Sequence, residues 1–402
     1  MSTVQALAVP TAAYIHIPFC RRRCFYCDFP IAVAGDHARG DTSPRMAAYV
    51  ETLCREIQAT PRLNRDRPLD TVFFGGGTPS LLSAPQVAQI LTVLEACLGL
   101  APGAEISMEM DPGSFDRPHL QVLHTLGLNR ISLGVQAFQD ALLAACGRTH
   151  RRQDVDQAIA DLVAVGIQNW SLDLISGLPH QTLDIWQASL ETAIAHAPAH
   201  ISVYDLTVEP GTVFEHRYHP GEAPLPTDEA TTAMYRLTQA TLTAAGYDHY
   251  EISNYARPGY HCRHNRVYWE NRPYYGFGMG ATSYTCHQRF SRPRTTDTYR
   301  VWVEDYVARG GQIDCTPTPR QEQWLDQLMV GLRLRTGVDL RALAATYGTA
   351  AVAELRALLT PEIHKGWVVI DPIPAPRLRL TDPEGFLFSN QVLVKLFDRW
   401  GG

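Results

Sequence analysis

The sequence predicts an α/β protein: a parallel, curved sheet with helices between its strands, followed by a smaller α+β module. Three observations carry this. Short buried-strand runs alternate with helical periodicity through the first half, the rhythm breaks after residue 205, and from about residue 318 helical stretches lead into a hairpin pattern. At 402 residues with 45% hydrophobic content, the chain can bury one large core and a smaller one.

In order, the strand-like runs are 13–17, 71–75, 105–110, 130–134, 169–174 and 201–205. Helix-like stretches at 44–57, 85–98, 118–126, 155–165 and 182–196 lie between them. Six strands joined this way require right-handed crossovers and a parallel sheet. The segment 206–317 is rich in turn residues, with one helical stretch at 229–244 and a strand-like run at 247–252. Beyond it, 324–334, 340–347 and 350–359 are apolar at helical spacing, 366–370 and 377–381 form a hairpin, and 383–397 makes a closing helix. The expected division is therefore 1–205, 206–317 and 318–402. Three helices, a hairpin and a helix resemble a small winged-helix module, and without a Lys/Arg-rich recognition helix its role is packing or partner docking rather than DNA binding.

Formal net charge is −6, which argues against a general nucleic-acid binder. Lys365 and Lys395 are the only lysines, so arginine carries nearly all positive charge, a compositional bias. Nine cysteines are present, and six of them stand singly at 54, 97, 146, 262, 286 and 315, with no disulfide framework. The odd count and the lack of a charged leader with an apolar block in residues 1–11 point to a reducing cytoplasm. No 18-residue apolar stretch occurs. Peripheral membrane contact and a homodimer stay open.

The chemistry is concentrated in Cys20-Arg21-Arg22-Arg23-Cys24-Phe25-Tyr26-Cys27, directly after the first strand. Three thiolates within eight residues can hold three irons of a 4Fe-4S cubane and leave the fourth without a protein ligand, whereas a closed zinc site would want a fourth donor nearby. This C-x3-C-x2-C run resembles the radical S-adenosylmethionine (SAM) superfamily, in which SAM fills the vacant position. Tyr14-Ile15-His16-Ile17-Pro18-Phe19-Cys20 and Phe73-Phe74-Gly75-Gly76-Gly77-Thr78-Pro79-Ser80 are similar to the branch holding oxygen-independent coproporphyrinogen oxidases and HemW-type heme chaperones. The oxidases carry a fourth cysteine two positions beyond the third, where this chain has Cys27-Asp28-Phe29. The resemblance therefore leans to the chaperones, and it implies a partial (β/α)6 barrel.

Polar residues fall at strand C-terminal ends, where barrel enzymes build their sites: Gly75-Gly76-Gly77-Thr78, Glu109 and Asp111, Gln136, and Asp173. Helix caps and turns are the plain structural reading of each one taken singly. By resemblance, Cys20, Cys24 and Cys27 hold the cluster, while Tyr14, Gly76 and Glu109 contact SAM. The same comparison places Tyr26, Gly77, Thr78, Gln136, Arg148 and Asp173 around SAM or a second nucleotide-like ligand. Glycine amides are expected to bind the SAM amino-acid portion, and Phe19, Phe25, Tyr26 and Phe29 to form a dry wall.

Further on, His264-Asn265-Arg266-Val267-Tyr268-Trp269 resembles a HemW-type signature. Imidazole can ligate heme iron, so His264 is a candidate ligand with Cys262 and His261 as rivals; a hydrogen-bonded structural histidine is the alternative. Glycines 276, 278 and 280 are expected to permit close backbone approach to the barrel mouth or SAM rather than to bind phosphate. The resemblance implies heme binding and transfer to hemoproteins of the respiratory chain or elsewhere. The competing readings are a coproporphyrinogen III dehydrogenase, decarboxylating two propionates through a 5′-deoxyadenosyl radical, and a structural zinc protein. Phe29 and the 19 residues before Cys20 speak against the dehydrogenase.

Overall fold

A computed structural model describes residues 9–401 except 37, 64–65 and 373–374. The N-terminal stretch read above for a leader lies outside these up to residue 8. The strands are β1 (Ala12–Ile17), β2 (Phe19–Cys20), β3 (Ala32–Val33), β4 (Leu69–Gly76), β5 (Leu100–Met110), β6 (Arg130–Gln136), β7 (Trp170–Ser176) and β8 (His200–Asp205). Then come β9 (Asp248–Glu251), β10 (Asn254–Ala256), β11 (Tyr275–Phe277), β12 (Thr282–Thr285), β13 (Gln288–Ser291), β14 (Val338–Asp339), β15 (Val368–Asp371) and β16 (Arg377–Leu380).

The main sheet runs β11-β1-β4-β5-β6-β7-β8-β10-β9. From β11 to β8 every ladder is parallel, and β10 and β9 close the far edge antiparallel. This is the curved α/β partial barrel expected, with one more parallel strand than the six read from sequence. The extra strand, β11, pairs Ala13 with Tyr275 and Ile15 with Phe277. It is three residues long and embedded in glycines, so no alternation marks it. The glycines here make room for neighbouring chain: a Cβ on Gly276 would lie 2.1 Å from the Thr282 carbonyl oxygen, and one on Gly278 would lie 2.6 Å from that of His16.

Strand alternation sorts the side chains into two layers. Val72, Phe74, Ile106, Met108, Leu172 and Leu174 join the large core with the surrounding helices. Their neighbours Thr71, Glu105, Ser107, Glu109 and Asp173 form the other set, which gives the barrel a polar interior. The helices start where caps allow. Ser43 accepts from the Met46 amide ahead of Pro44–Ala59, Thr182 accepts from Ile185 ahead of Leu183–Ala195, and Gly166 ends Arg152–Val165 in the left-handed region.

Helix Thr296–Ala308 was not anticipated. Its β-branched residues weaken a helical reading, yet Tyr299, Val303 and Tyr306 share one buried face at helical spacing, and the helix packs on Pro44–Ala59. The closing helix is likewise corrected to two pieces, Glu384–Leu387 and Ser389–Trp400. Gly385 is the reason. A Cβ there would sit 2.1 Å from the Trp367 carbonyl oxygen, so the first turn docks onto the hairpin before the second helix departs. The C-terminal module has its own core around Leu328, Leu355, Leu378 and Val392, and its sheet order is β14-β16-β15.

Candidate functional site

The cysteine loop is stapled at both ends. β2 and β3 pair in parallel, Phe19 with Ala32 and Cys20 with Val33. Three consecutive arginines then brace it: Arg21 donates to the Gly113 carbonyl at 3.0 Å, Arg22 pairs with Asp36, and Arg23 donates to the Cys27 and Phe29 carbonyls. A local structural need thus explains three arginines that composition alone did not. Cys20, Cys24 and Cys27 are half-buried and line one cavity of about 490 Å³ at the C-terminal ends of the strands.

That cavity gathers Tyr26, Gly76, Gly77, Thr78, Glu109, Gln136, Arg148 and Asp173 with the cysteines. Tyr14 stands just behind them. Its hydroxyl donates to His16 Nδ1 at 3.0 Å, because His16 Nε2 is committed as donor to the Pro30 carbonyl at 2.9 Å. His264 is elsewhere, at the opposite end of the barrel: Nδ1 pairs with the Thr71 hydroxyl and Nε2 with the Tyr268 hydroxyl, both at 2.8 Å, and the residue is fully buried. Burial first, then Arg272, pushes its imidazole down to about 3. This is the hydrogen-bonded arrangement named as the alternative to ligation. Of its rivals, Cys262 is buried against Glu105, and His261 stacks on Tyr250 at 4.2 Å.

The glycine loop works differently from the expectation. Its amides are already used: Gly76 donates to Glu109 Oε2 at 2.9 Å, Gly77 to the Ile17 carbonyl and Thr78 to the Phe19 carbonyl. What the glycines supply is room. Gly76 has φ +112°, and a Cβ there would sit 2.5 Å from the His16 ring. Of the four aromatics in the expected dry wall, Tyr26 and Phe29 line the cavity, Phe29 at the rim and 54% exposed, whereas Phe19 packs in the core against Tyr49. Phe25 packs beneath the loop on Phe214, under the Arg217 guanidinium.

Electrostatics centre on Asp111, a residue that outranks its sequence signal. It accepts from the Thr78 hydroxyl at 3.0 Å and pairs with Arg148, which also meets the Gly134 carbonyl at 2.9 Å, His150 Nδ1 at 3.4 Å and Cys24 Sγ at 3.5 Å. Thus a buried cation lies against the middle cysteine. Burial and then Asp111 push Cys20 up to about 12, opposed by the Thr78 hydroxyl 3.7 Å away. Gln136 is held at φ 65° where the β6–β7 register slips, a bulge that re-aims its side chain. Tyr204, Asp205 and Glu209 also line the cavity and were missed. The rule that polar residues at strand ends build sites would have found the first two.

Burial, opposed by the Gly76 amide and reinforced by Asp173 and Asp111, raises Glu109 to about 8. In the unfolded chain this carboxyl loses its proton near 4.5, so between those values the unfolded state binds fewer protons and stability falls as pH rises. Glu109→Gln is therefore expected to flatten the pH dependence of ligand-free unfolding between about 4.5 and 8. Denaturant titrations at several pH values check this, and an unaltered slope would refute it.

A family model described as the radical SAM superfamily matches residues 14–193, and one described as the HemN C-terminal domain matches 318–388. The heme chaperone HemW of Synechocystis is 50% identical over 402 residues, with 97% of each chain covered. This chain belongs to the HemW family within the radical SAM superfamily. Another member of that family, from Lactococcus lactis, is 32% identical across 97% of this chain and 98% of its own. Among solved structures, coproporphyrinogen III oxidase (HemN) of Escherichia coli matches with a TM-score of 0.80 and 23% identity, covering 97% of this chain and 90% of that one. That likeness establishes the barrel and C-terminal module as a shared fold.

Superfamily membership brings a 4Fe-4S cluster and SAM as cofactors, and the residues present suit both. Three half-buried thiols open onto one cavity, which Gly76, Gly77, Glu109 and Asp111 also line, and Arg148 sets positive charge beside one of the thiols. Held by the three cysteines and the cavity residues, the pair would supply one-electron reductive chemistry at a sulfonium carbon–sulfur bond. The chain's own part is to fix the cysteine loop and to line the cavity beside it, with Tyr26 and Ile175 among its walls and Glu109 held on the Gly76 amide. Among the described residues, no helix is long and apolar enough to cross a membrane.

Proposed function

We propose that this chain is a heme chaperone: it binds heme and delivers it to hemoproteins, those of the respiratory chain included, with the cluster and SAM held in the barrel. The supporting observation is 50% identity across 97% of both chains to a protein named as a heme chaperone. The cavity chemistry favours the same reading. A coproporphyrinogen dehydrogenase must hold propionates on free cations, and the arginines lining this cavity are Arg21, Arg22 and Arg148. Arg22 and Arg148 are ion-paired, with Asp36 and Asp111, and Arg21, which donates to the Gly113 carbonyl, is among the described residues the one cation here without an acidic partner, fewer than two propionates would want. Where the oxidases carry a fourth cysteine there is an exposed phenyl ring.

An anaerobic incubation of cluster-loaded protein with SAM and either heme or coproporphyrinogen III tests this. Stable uptake of heme and its passage to an apo-hemoprotein are expected, with coproporphyrinogen unchanged. Decarboxylation coupled to 5′-deoxyadenosine release would overturn the proposal in favour of the dehydrogenase. We place the protein in the cytoplasm, in keeping with nine free thiols. Self-association and peripheral membrane contact belong to the same proposal and are read by light scattering and vesicle co-sedimentation. So do the expected SAM contacts of Tyr14, Tyr26, Gly76, Gly77, Thr78, Glu109, Gln136, Arg148 and Asp173, and the division at residues 205 and 317.

A further inference from the structure

The two-residue turn between β12 and β13 is Cys286–His287, and both residues have positive φ, 51° and 58°. Two-residue hairpin turns of this kind are the province of Asn-Gly, because side chains beyond Cβ are disfavoured in the left-handed region. Strain of this sort, kept at the tip of an exposed hairpin, signals a use for the side chains. Cysteine and histidine are both axial ligands of heme iron.

His287 faces a second cleft of about 390 Å³, which lies between the helix Arg263–Trp269, this hairpin and the C-terminal module. Aromatic rings of Trp269, Tyr284 and Tyr347 line it. The Trp269 indole N–H is buried without a hydrogen-bond partner, an unpaid polar group on the cleft wall. The charged groups lining the cleft are Glu270, Asp339 and Arg377. Glu270 is neutralised by Arg266 and Arg272, Arg377 donates to the Thr336 and Gly337 carbonyls at 2.6 and 2.7 Å with Asp339 at 3.9 Å, and the Arg333 guanidinium lies 5.3 Å over Trp269. Among the described residues the His287 side chain makes no hydrogen bond or ion pair, and it is exposed.

We propose that heme docks in this cleft with His287 as its axial ligand, Cys286 beside it, and Arg333 toward a propionate. The inference rests on the heme-chaperone reading and gives that reading a place, separate from the cluster cavity and remote from the buried ring nitrogens of His264. Coordination needs no redox step: a neutral imidazole nitrogen donates its lone pair to ferric iron. A cleft this size leaves part of the macrocycle in solvent, which suits a carrier that must release its cargo.

The test is hemin titration of the full chain, followed by Soret position and affinity. His287→Asn keeps a residue that tolerates the left-handed turn, so the fold survives; a shifted Soret band and at least tenfold weaker binding are expected. The double change Cys286→Asn with His287→Gly installs the preferred turn and is expected to raise the thermal midpoint while losing the heme spectrum. Ala342→Trp, filling the cleft from its exposed helix without touching the ligand, is expected to weaken binding as well. Unchanged hemin affinity and spectrum in His287→Asn, or unchanged affinity in Ala342→Trp, would overturn the docking site and leave the chaperone reading standing. Failure of the unaltered protein to take up hemin at all would instead bring down the chaperone reading itself.

Discussion

Replacing Arg292 by methionine is expected to lower the unfolding free energy by about 3–5 kcal/mol, the usual cost of stranding one member of a buried ion pair. Its partner, Glu56, is wholly buried and receives the Arg292 Nε at 2.7 Å, the Gly278 amide at 2.9 Å and the Tyr299 hydroxyl at 2.6 Å. Arg292 in turn donates to Ser283 at 2.6 Å. One carboxylate therefore ties the helix Pro44–Ala59 to the end of β11 and to the helix Thr296–Ala308. Denaturant midpoints read the loss. Removing both charges together, Glu56→Gln with Arg292→Met, is expected to recover much of it, since no unpaired charge stays buried. A single-variant loss below about 1 kcal/mol would show that the pair is not sealing this side of the barrel.

Cys24→Ala is expected to abolish iron–sulfur absorbance, with iron and acid-labile sulfide falling to background. Cys24 is the member of the triplet that receives Arg148, 3.5 Å from its sulfur, and the loop around it is fixed by the Phe25 amide bonding to the Cys146 carbonyl at 2.9 Å. The fold is not at risk, since the side chain is half-buried and Ala fills less space. Retained cluster would remove Cys24 from the ligand set. Hemin affinity measured on the same variant separates the two sites: docking at His287 predicts that it survives cluster loss.

The six central strands were legible because each is a compact apolar run followed by turn chemistry, and their inward polar alternates, such as Glu105, Ser107 and Glu109, mark the sheet as a barrel wall. β11 was not legible, since three residues among glycines carry no period and only the edge of β1 recruits them. The cysteine triplet could be read because its chemistry is local. Arg148, by contrast, was placed only by resemblance: nothing near it in sequence foretells Asp111 or Cys24. The Gly76–Thr78 amides misled for a related reason, because the carbonyls and carboxylate that occupy them come from β1, β2 and β5.

The late strand β11 has a consequence for how the chain is made. β1 finds one neighbour in β4 early, but its other edge waits for β11, which lies roughly 260 residues further along the chain, and at ~5–20 residues per second that is on the order of ten seconds to a minute of ribosome time. Throughout that interval the nascent barrel carries an open parallel edge beside the freshly emerged cysteine loop, a surface apt to recruit stray strands. A message truncated before codon 275 would leave that edge open permanently, and its product should accumulate as aggregate rather than as a smaller barrel.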